Sequence, residues 1–219
     1  MTAVENGAAR FDALWRRCVA SPPSPDGAAV FADLHRLYTA PYRRFHNLDH
    51  IGDCVRRADE VAPRLENPDA VELALWFHDA VYDVGAADNE RRSAEMFLAL
   101  SAGASFGFRH RVCSLIMATR HARMVHGNDR SFMVDIDLSG FGAPWEAFIE
   151  NSSRLREESS AISDAQYSAG QIFFLSRLQR RRRFFATDYF RDKYEATAQE
   201  NLRRLLGRLA NQDGAPPTL

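Results

Sequence analysis

The sequence predicts an all-α protein, and three observations support that prediction. Apolar residues recur at intervals of three and four along almost the whole chain, the spacing that gathers them on one face of an α-helix. The sustained apolar and polar alternation of a half-buried strand is missing. Prolines and capping residues separate the periodic segments. We therefore expect eight to ten helices in a single domain.

Proline and asparagine delimit the helices of the first half. The segment Ser21-Pro22-Pro23-Ser24-Pro25 should stop the first helix, because proline cannot continue the hydrogen-bond ladder. Asn67, Pro68 and Asp69 have the order of cap, first-turn residue and acidic residue that opens a helix. The helices predicted here cover residues 9–20, 27–38, 48–65 and 68–82.

A capping box marks one helix of the second half. Ser163 and Gln166 stand three apart, so each side chain can bond the backbone of the other. From Asn211 onward we expect a frayed tail. The predicted domain bounds are an N-terminal helix with its connection (1–25), a helical domain (26–209) and the tail (210–219). The helices predicted here cover residues 88–100, 109–120, 145–159, 163–183 and 188–209.

Composition and charge are those of an ordinary globular protein. Of the 219 residues, 46% are hydrophobic and 26% are charged, which excludes a disordered, collagen-like or disulfide-scaffold protein. Lys and Arg total 28 against 29 Asp and Glu, so the net charge is -1. Such a balance gives no reason to expect a nucleic-acid polymer or a membrane as partner. The basic run at residues 180–183 is read as a solvated helix end.

The cysteines and the N-terminal residues favour a cytoplasmic location. Cys18, Cys54 and Cys113 are odd in number and far apart, so the sequence supports neither a disulfide framework nor a thiolate zinc site. No apolar run is long enough for a signal peptide or a membrane span.

Histidines and aspartates form the pattern that carries chemistry. His46 and His50 are four apart and would share a helix face, unless the helix begins near Asn47 and carries only His50. His78 follows the apolar positions of its helix and should point inward, with Asp79 directly after it. Because a buried imidazole and carboxylate need partners, a shared metal ion would satisfy both.

Structural interpretations of the same residues stay open. A buried His can bond a backbone carbonyl, and a buried Asp can pair with an arginine. Asp137 lies in an apolar stretch with Asp135, where one acid can face solvent and the other inward. Either acid could equally cap a helix.

Together, these residues resemble the H…HD…D signature of the HD-domain superfamily of metal-dependent phosphohydrolases. The similarity is closest to a bacterial branch of predicted HD phosphohydrolases and covers roughly residues 30–209. It continues through FFATD (184–188) and YEA (194–196). The blocks that carry it are RFHNLDHI (44–51), WFHDAVYD (76–83), DNERRSA (88–94) and DIDL (135–138).

The resemblance implies an HD-domain-like helical bundle that holds a divalent metal ion, either Mn, Fe, Co, Ni, Zn or Mg. One metal is expected to be tightly held, and Asp79 could bridge to a second. His121 falls where many HD enzymes place a further histidine, so it is the candidate ligand of that second metal, and His126 is a weaker one. Ala122 departs from the second histidine common in this branch, which weakens the two-metal prediction. The implied ligands are His50, His78, Asp79 and Asp137.

The implied activity is hydrolysis of a phosphoester of a small molecule, a nucleotide among them, by metal-activated water. Arg44 is the candidate phosphate clamp, although a solvated arginine is an equal alternative. His46 is a candidate proton shuttle, and Asp83 or Glu90 could orient a ligand or the water. We therefore predict Asp79, His46, Arg44 and Glu90 as catalytic residues.

Two other functions fit the same fold. One is a di-iron oxygenase, and the other is a non-catalytic regulatory or ligand-binding module. No Ser-His-Asp or Cys-His arrangement has motif support, and no phosphate-binding glycine loop is present. The expected partner is a small phosphorylated substrate, and a homodimer is allowed.

Overall fold

The computed structural model describes residues 3–213, and the side chains of residues 7–211. This part of the chain contains ten α-helices and no strand, which confirms the predicted fold class. Short 3₁₀ turns at Ala62–Arg64 and Leu138–Gly142 follow α3 and α7. The helices are α1 (Ala3–Cys18), α2 (Gly27–Tyr38), α3 (Leu48–Val61), α4 (Pro68–Phe77), α5 (Asn89–Leu100), α6 (Phe106–Ala118), α7 (Asn128–Asp137), α8 (Trp145–Glu158), α9 (Asp164–Gln179) and α10 (Asp188–Asp213).

The chain divides into two compact units, of which the first ends at Ile136 and the second begins at Asp137. In the first unit α4 is central: α1, α3, α5 and α6 all pack against it. Six of its ten residues are completely buried, because the helix is apolar except for Asp69 and Glu72, which pair with arginines of α1. An aromatic cluster joins α4 to α1, α2 and α5; its members are Phe11, Trp15, Phe31, Trp76, Phe77 and Phe97.

The second unit is built around α10, which packs against α9 and the 3₁₀ turn at Leu138–Gly142. The Asn201 amide donates to the Phe141 and Ala143 carbonyls, both at 2.8 Å. The Glu195 carboxylate accepts from the Phe184 N–H at 2.7 Å and the Phe185 N–H at 3.0 Å. These side chains tie the irregular segments to α10 and satisfy backbone groups that no helix pairs.

Local capping chemistry explains the helix starts. The Asn67 side chain accepts from the Ala70 N–H at 2.9 Å, as predicted for the start of α4. The predicted capping box of Ser163 and Gln166 is also present at the start of α9. The range predicted for α2 agrees with the structure at both ends. The domain bounds predicted from the sequence stay a prediction.

Several helix ends and one whole helix were predicted wrongly. The fourth helix ends at Phe77 rather than near Tyr82, and α9 ends at Gln179 rather than near residue 183. The expected tail is helical through Asp213, while residues 214–219 lie outside the described part. No helix was predicted over Asn128–Asp137. None of the helices within residues 3–213 combines the length and apolarity needed to cross a membrane.

Candidate metal centre

Asn47 determines where α3 begins and therefore where His50 lies. Its side-chain oxygen accepts from the Asp49 N–H at 2.9 Å and the His50 N–H at 3.3 Å. Because these are the orphan donors of a first turn, the helix starts at Leu48. His50 is thus in the first turn, and His46 precedes the helix. Of the two predicted arrangements, the one with only His50 on the helix is correct.

His78 follows α4 directly and points inward, as its spacing predicted. Its side chain is 1% exposed, and its Nδ1 lies 2.8 Å from the Leu75 carbonyl oxygen. Nδ1–H donates to that carbonyl, so Nε2 carries the lone pair whenever the ring is neutral. This Nε2 lies 3.3 Å from Nε2 of His50. His78 thus donates a hydrogen bond to a backbone carbonyl and also lies against a second imidazole. The hydrogen-bonded interpretation and the metal-ligand interpretation of this residue are therefore compatible.

Asp79 brings a carboxylate against both imidazoles. Its Oδ2 lies 3.0 Å from Nε2 of His78 and 3.6 Å from Nε2 of His50. Burial raises the pKa of the Asp79 carboxyl, but the neighbouring imidazoles outweigh burial, so this pKa lies well below its ordinary value. The carboxylate is therefore ionised at neutral pH.

Asp137, the last residue of α7, belongs to a cluster of four possible metal ligands. Three of the four were predicted from the sequence and the fourth was not. Asp137 ends α7, and the nine residues that precede it in this helix belong to the first unit. One ligand atom from each member lies within 4.8 Å of every other, and the fourth member is the buried thiol of Cys54. We name this group the histidine–cysteine cluster; it comprises His50, Cys54, His78 and Asp137.

The two acids of α7 differ in burial. Neither faces solvent fully, because Asp135 is completely buried and Asp137 is half-buried. Neither acid begins an α-helix, since both lie in the last turn of α7, and Asp137 holds the N-cap position of the 3₁₀ turn at Leu138–Gly142. Asp137 also makes no capping hydrogen bond to the 3₁₀ turn that follows it.

Arg43 holds the backbone beside the cluster, a role the sequence analysis overlooked. Its Nη1 donates to the Asp79 carbonyl at 2.8 Å and the His46 carbonyl at 3.0 Å, and its Nη2 to the Ala80 carbonyl at 3.0 Å. The residue is 6% exposed. Three tyrosine rings surround its guanidinium with centroids 5.3–5.9 Å away: Tyr38, Tyr42 and Tyr82.

His46 lies against this framework at the edge of the cluster. Its ring stacks on Tyr82 with centroids 4.1 Å apart, and its centroid is 6.1 Å from that of His50. The imidazole also lowers the pKa of Asp79 through its charge. His46 is half-buried, so part of it is exposed to solvent.

Other predicted residues lie outside the histidine–cysteine cluster, and their catalytic or ligand roles stay predictions. Arg44 is exposed. Glu90 lies in the first turn of α5, with its Oε2 3.9 Å from Nε of Arg120. Asp83 forms a surface ion pair with Arg92.

The two histidines considered for a second metal lie in different surroundings. His121 is buried in the turn after α6, where its φ of 50° is the left-handed conformation that side chains disfavour. His126 is exposed and lines a separate pocket of about 270 Å³ together with His110.

Comparison of the chain with protein-family models, with curated proteins and with solved structures finds no match. The fit of the cluster to a metal ion therefore depends on its own chemistry. Two imidazoles, a thiol and two nearby carboxylates supply the nitrogen, sulfur and oxygen donors that divalent first-row metals take.

Proposed function

We propose that this chain is a metal-dependent phosphohydrolase of the HD type that cleaves a phosphoester of a small molecule, a nucleotide among the candidates. The observation that carries the proposal is the approach of the two Nε2 atoms of His50 and His78 to 3.3 Å, with Oδ2 of Asp79 beside both. Asp137 adds a second carboxylate within reach.

The hydrogen bond at Nδ1 of His78 leaves its Nε2 for a cation at this place. Its Nδ1–H is used by the Leu75 carbonyl, so its neutral ring offers only a lone pair at Nε2. That lone pair faces an imidazole nitrogen and a carboxylate oxygen. A single proton on Nε2 would serve one acceptor well, whereas a divalent cation between the donor atoms would attract them all. An imidazolium–carboxylate pair is the alternative that metal analysis must exclude.

A divalent cation bound there would activate water at neutral pH and polarise a phosphoryl oxygen. The chain's own groups would position the reactants. Asp79 keeps its charge, because its pKa is low. His46, held by its stack on Tyr82, would carry a proton between the site and solvent. Arg44 adjoins the anchored Arg43 and leaves its guanidinium exposed, as a clamp for an incoming phosphate requires.

The location and partner follow from the same proposal. Within the described residues, none of the three cysteines (Cys18, Cys54 and Cys113) forms a disulfide, as expected for thiols in a reducing cytoplasm. The substrate would be a small phosphorylated molecule rather than a polyanion, since the chain as a whole carries a net charge of -1.

The test is a screen of phosphomonoesters, nucleotides and cyclic nucleotides with Mn, Co, Ni, Zn, Mg or Fe added to the purified chain. The Asp79→Ala variant should lose turnover by roughly 100-fold or more, because it removes a carboxylate at the centre. Asp33→Ala is the matched control, since that carboxylate pairs with Arg36 at the surface of α2 and its loss should leave turnover intact.

Three results would contradict the proposal. Equal turnover by Asp79→Ala and the native chain would remove the carboxylate from the reaction. Turnover that requires oxygen and two irons would instead indicate an oxygenase. A bound metal with no turnover of any substrate would indicate a regulatory module.

A further inference from the structure

The Cys54 thiol lies in the histidine–cysteine cluster, although no role was predicted for it from the sequence. It stands four residues after His50 on α3, so the helix places both side chains on one face. The residue is 2% exposed. Its Sγ lies 3.7 Å from Nε2 of His50, and its ligand atom belongs to the same group as those of His78 and Asp137.

The spacing of these atoms fits tetrahedral coordination. With metal–nitrogen and metal–sulfur bonds of roughly 2.0 and 2.3 Å, tetrahedral ligands lie about 3.3 Å apart for two nitrogens and about 3.5 Å apart for nitrogen and sulfur. The distance between Nε2 of His50 and Nε2 of His78 is 3.3 Å, and Sγ of Cys54 lies 3.7 Å from Nε2 of His50. Both edges therefore match with little movement of the side chains.

We propose that Cys54 is a direct ligand of the metal and sets which metal the centre takes. The inference rests on the proposed metal-dependent function and adds its metal selectivity. The sulfur–metal bond would form as the S–H bond breaks, with the proton released to solvent. Because a thiolate is a soft donor, the centre prefers Zn²⁺, Co²⁺ or Fe²⁺ over Mg²⁺ and Mn²⁺.

Burial alone gives a different interpretation of the same residue. A free cysteine often fills a core as a small apolar side chain, and its replacement by alanine would then affect stability without changing the metal. Cys113 provides the comparison, because it is half-buried on α6, where its Sγ approaches the Ala94 carbonyl.

The experiment loads the full chain with Co²⁺ and records its absorption spectrum. We expect a sulfur-to-cobalt charge-transfer band in the near ultraviolet, retained by Cys113→Ala and lost by Cys54→Ala. Competition titration should show that Cys54→Ala weakens Zn²⁺ binding by about 100-fold while Mg²⁺ binding changes much less. Cys54→Ser, which keeps the side-chain size, should also lose the band, and circular dichroism should confirm its helical content.

The outcomes separate this inference from the proposed function. Two results would overturn sulfur ligation without contradicting the proposed metal centre. One is tight Co²⁺ binding without the charge-transfer band, and the other is a band that is unchanged in Cys54→Ala. Failure of the native chain to bind Co²⁺, Zn²⁺ or Fe²⁺ would overturn both.

Discussion

Replacing Arg43 by alanine should destabilise the protein, while the same change at its neighbour Arg44 should not. The Arg43 guanidinium is buried and donates to three backbone carbonyls, two of which belong to the segment that carries Asp79. Arg44 is exposed. The two adjacent arginines therefore separate the effect of a buried anchor from that of a surface charge.

The size of the effect follows from opposing contributions. Hydrogen bonds from a charged donor contribute roughly 1.5–3 kcal/mol each, and contacts with the tyrosine rings add about 0.5–1 kcal/mol each. Removing Arg43 also relieves the desolvation of a buried cation, a cost of several kcal/mol that its unbonded Nε–H increases. We expect a net loss of about 3 kcal/mol, which lowers the melting temperature by roughly 6–12 °C in a chain of this size.

Thermal and urea unfolding of Arg43→Ala, Arg43→Lys and Arg44→Ala would test this reasoning. Lysine keeps the charge but cannot reach all three carbonyls as a planar fork does, so Arg43→Lys should fall between the native chain and Arg43→Ala. Arg44→Ala should stay within about 0.5 kcal/mol of native. Zinc affinity should fall roughly 10-fold in Arg43→Ala, because the backbone of Asp79 loses its support. Equal melting temperatures for Arg43→Ala and Arg44→Ala would refute the argument.

Three further predictions concern packing, pH and metal. Gly142→Ala should destabilise the chain by about 1–3 kcal/mol in urea unfolding, because its new Cβ would lie 2.5 Å from Cβ of Tyr194, whereas Gly140→Ala meets nothing within 4 Å and should be neutral. The hydrogen bond from Arg17 lowers the pKa of Asp69 below its ordinary value. The ionised carboxylate therefore adds less than about 1 kcal/mol to the free energy of unfolding at neutral pH, and this contribution is lost in acid. Urea unfolding should show a difference between the native chain and Asp69→Asn at pH 7 but not near pH 2. Zinc at 100 times its Kd should raise the free energy of unfolding by about 2.7 kcal/mol and a chelator should reverse it; a melting temperature indifferent to both would contradict a metal centre.

Helix starts could be predicted from the sequence better than helix ends. At Asn67 and Ser163 the start depends on one side chain bonding a nearby N–H, which is local information. The end of α4 was missed because the apolar pattern runs past Phe77, while the Tyr38 hydroxyl and the Arg43 guanidinium, which pair carbonyls at and just after that end, come from a distant segment. Helix α7 was missed because its short, strongly buried sequence has no clear polar face.

The same distinction applies to the candidate site. His50, His78 and Asp137 were found because their residue types and order carry the information, and the structure brings all three together. Arg43 and Cys54 were overlooked. A charged residue beside a second arginine and a lone cysteine look ordinary in sequence, and their roles depend on what the fold places around them. For Cys54, its spacing of four from His50 on a predicted helix was the available signal.

The early end of α4 connects the fold to the site. A helix that stops leaves its last four carbonyls without the usual donors, and burial makes unpaired carbonyls costly. Here all four are satisfied, and two of the donors are side chains. In chain order, these carbonyls accept from the His78 N–H, the His78 Nδ1–H, the Tyr38 hydroxyl and the Ala80 N–H.

The next carbonyls, those of Asp79 and Ala80, accept from Arg43. The ring of His78 is thus oriented by the end of α4 before any cation binds, and the backbone of Asp79 is held by a buried arginine. A centre positioned by hydrogen bonds that are already formed needs little rearrangement on metal binding. Loss of His78 should consequently affect stability as well as metal affinity, whereas loss of Cys54 should act mainly on the metal.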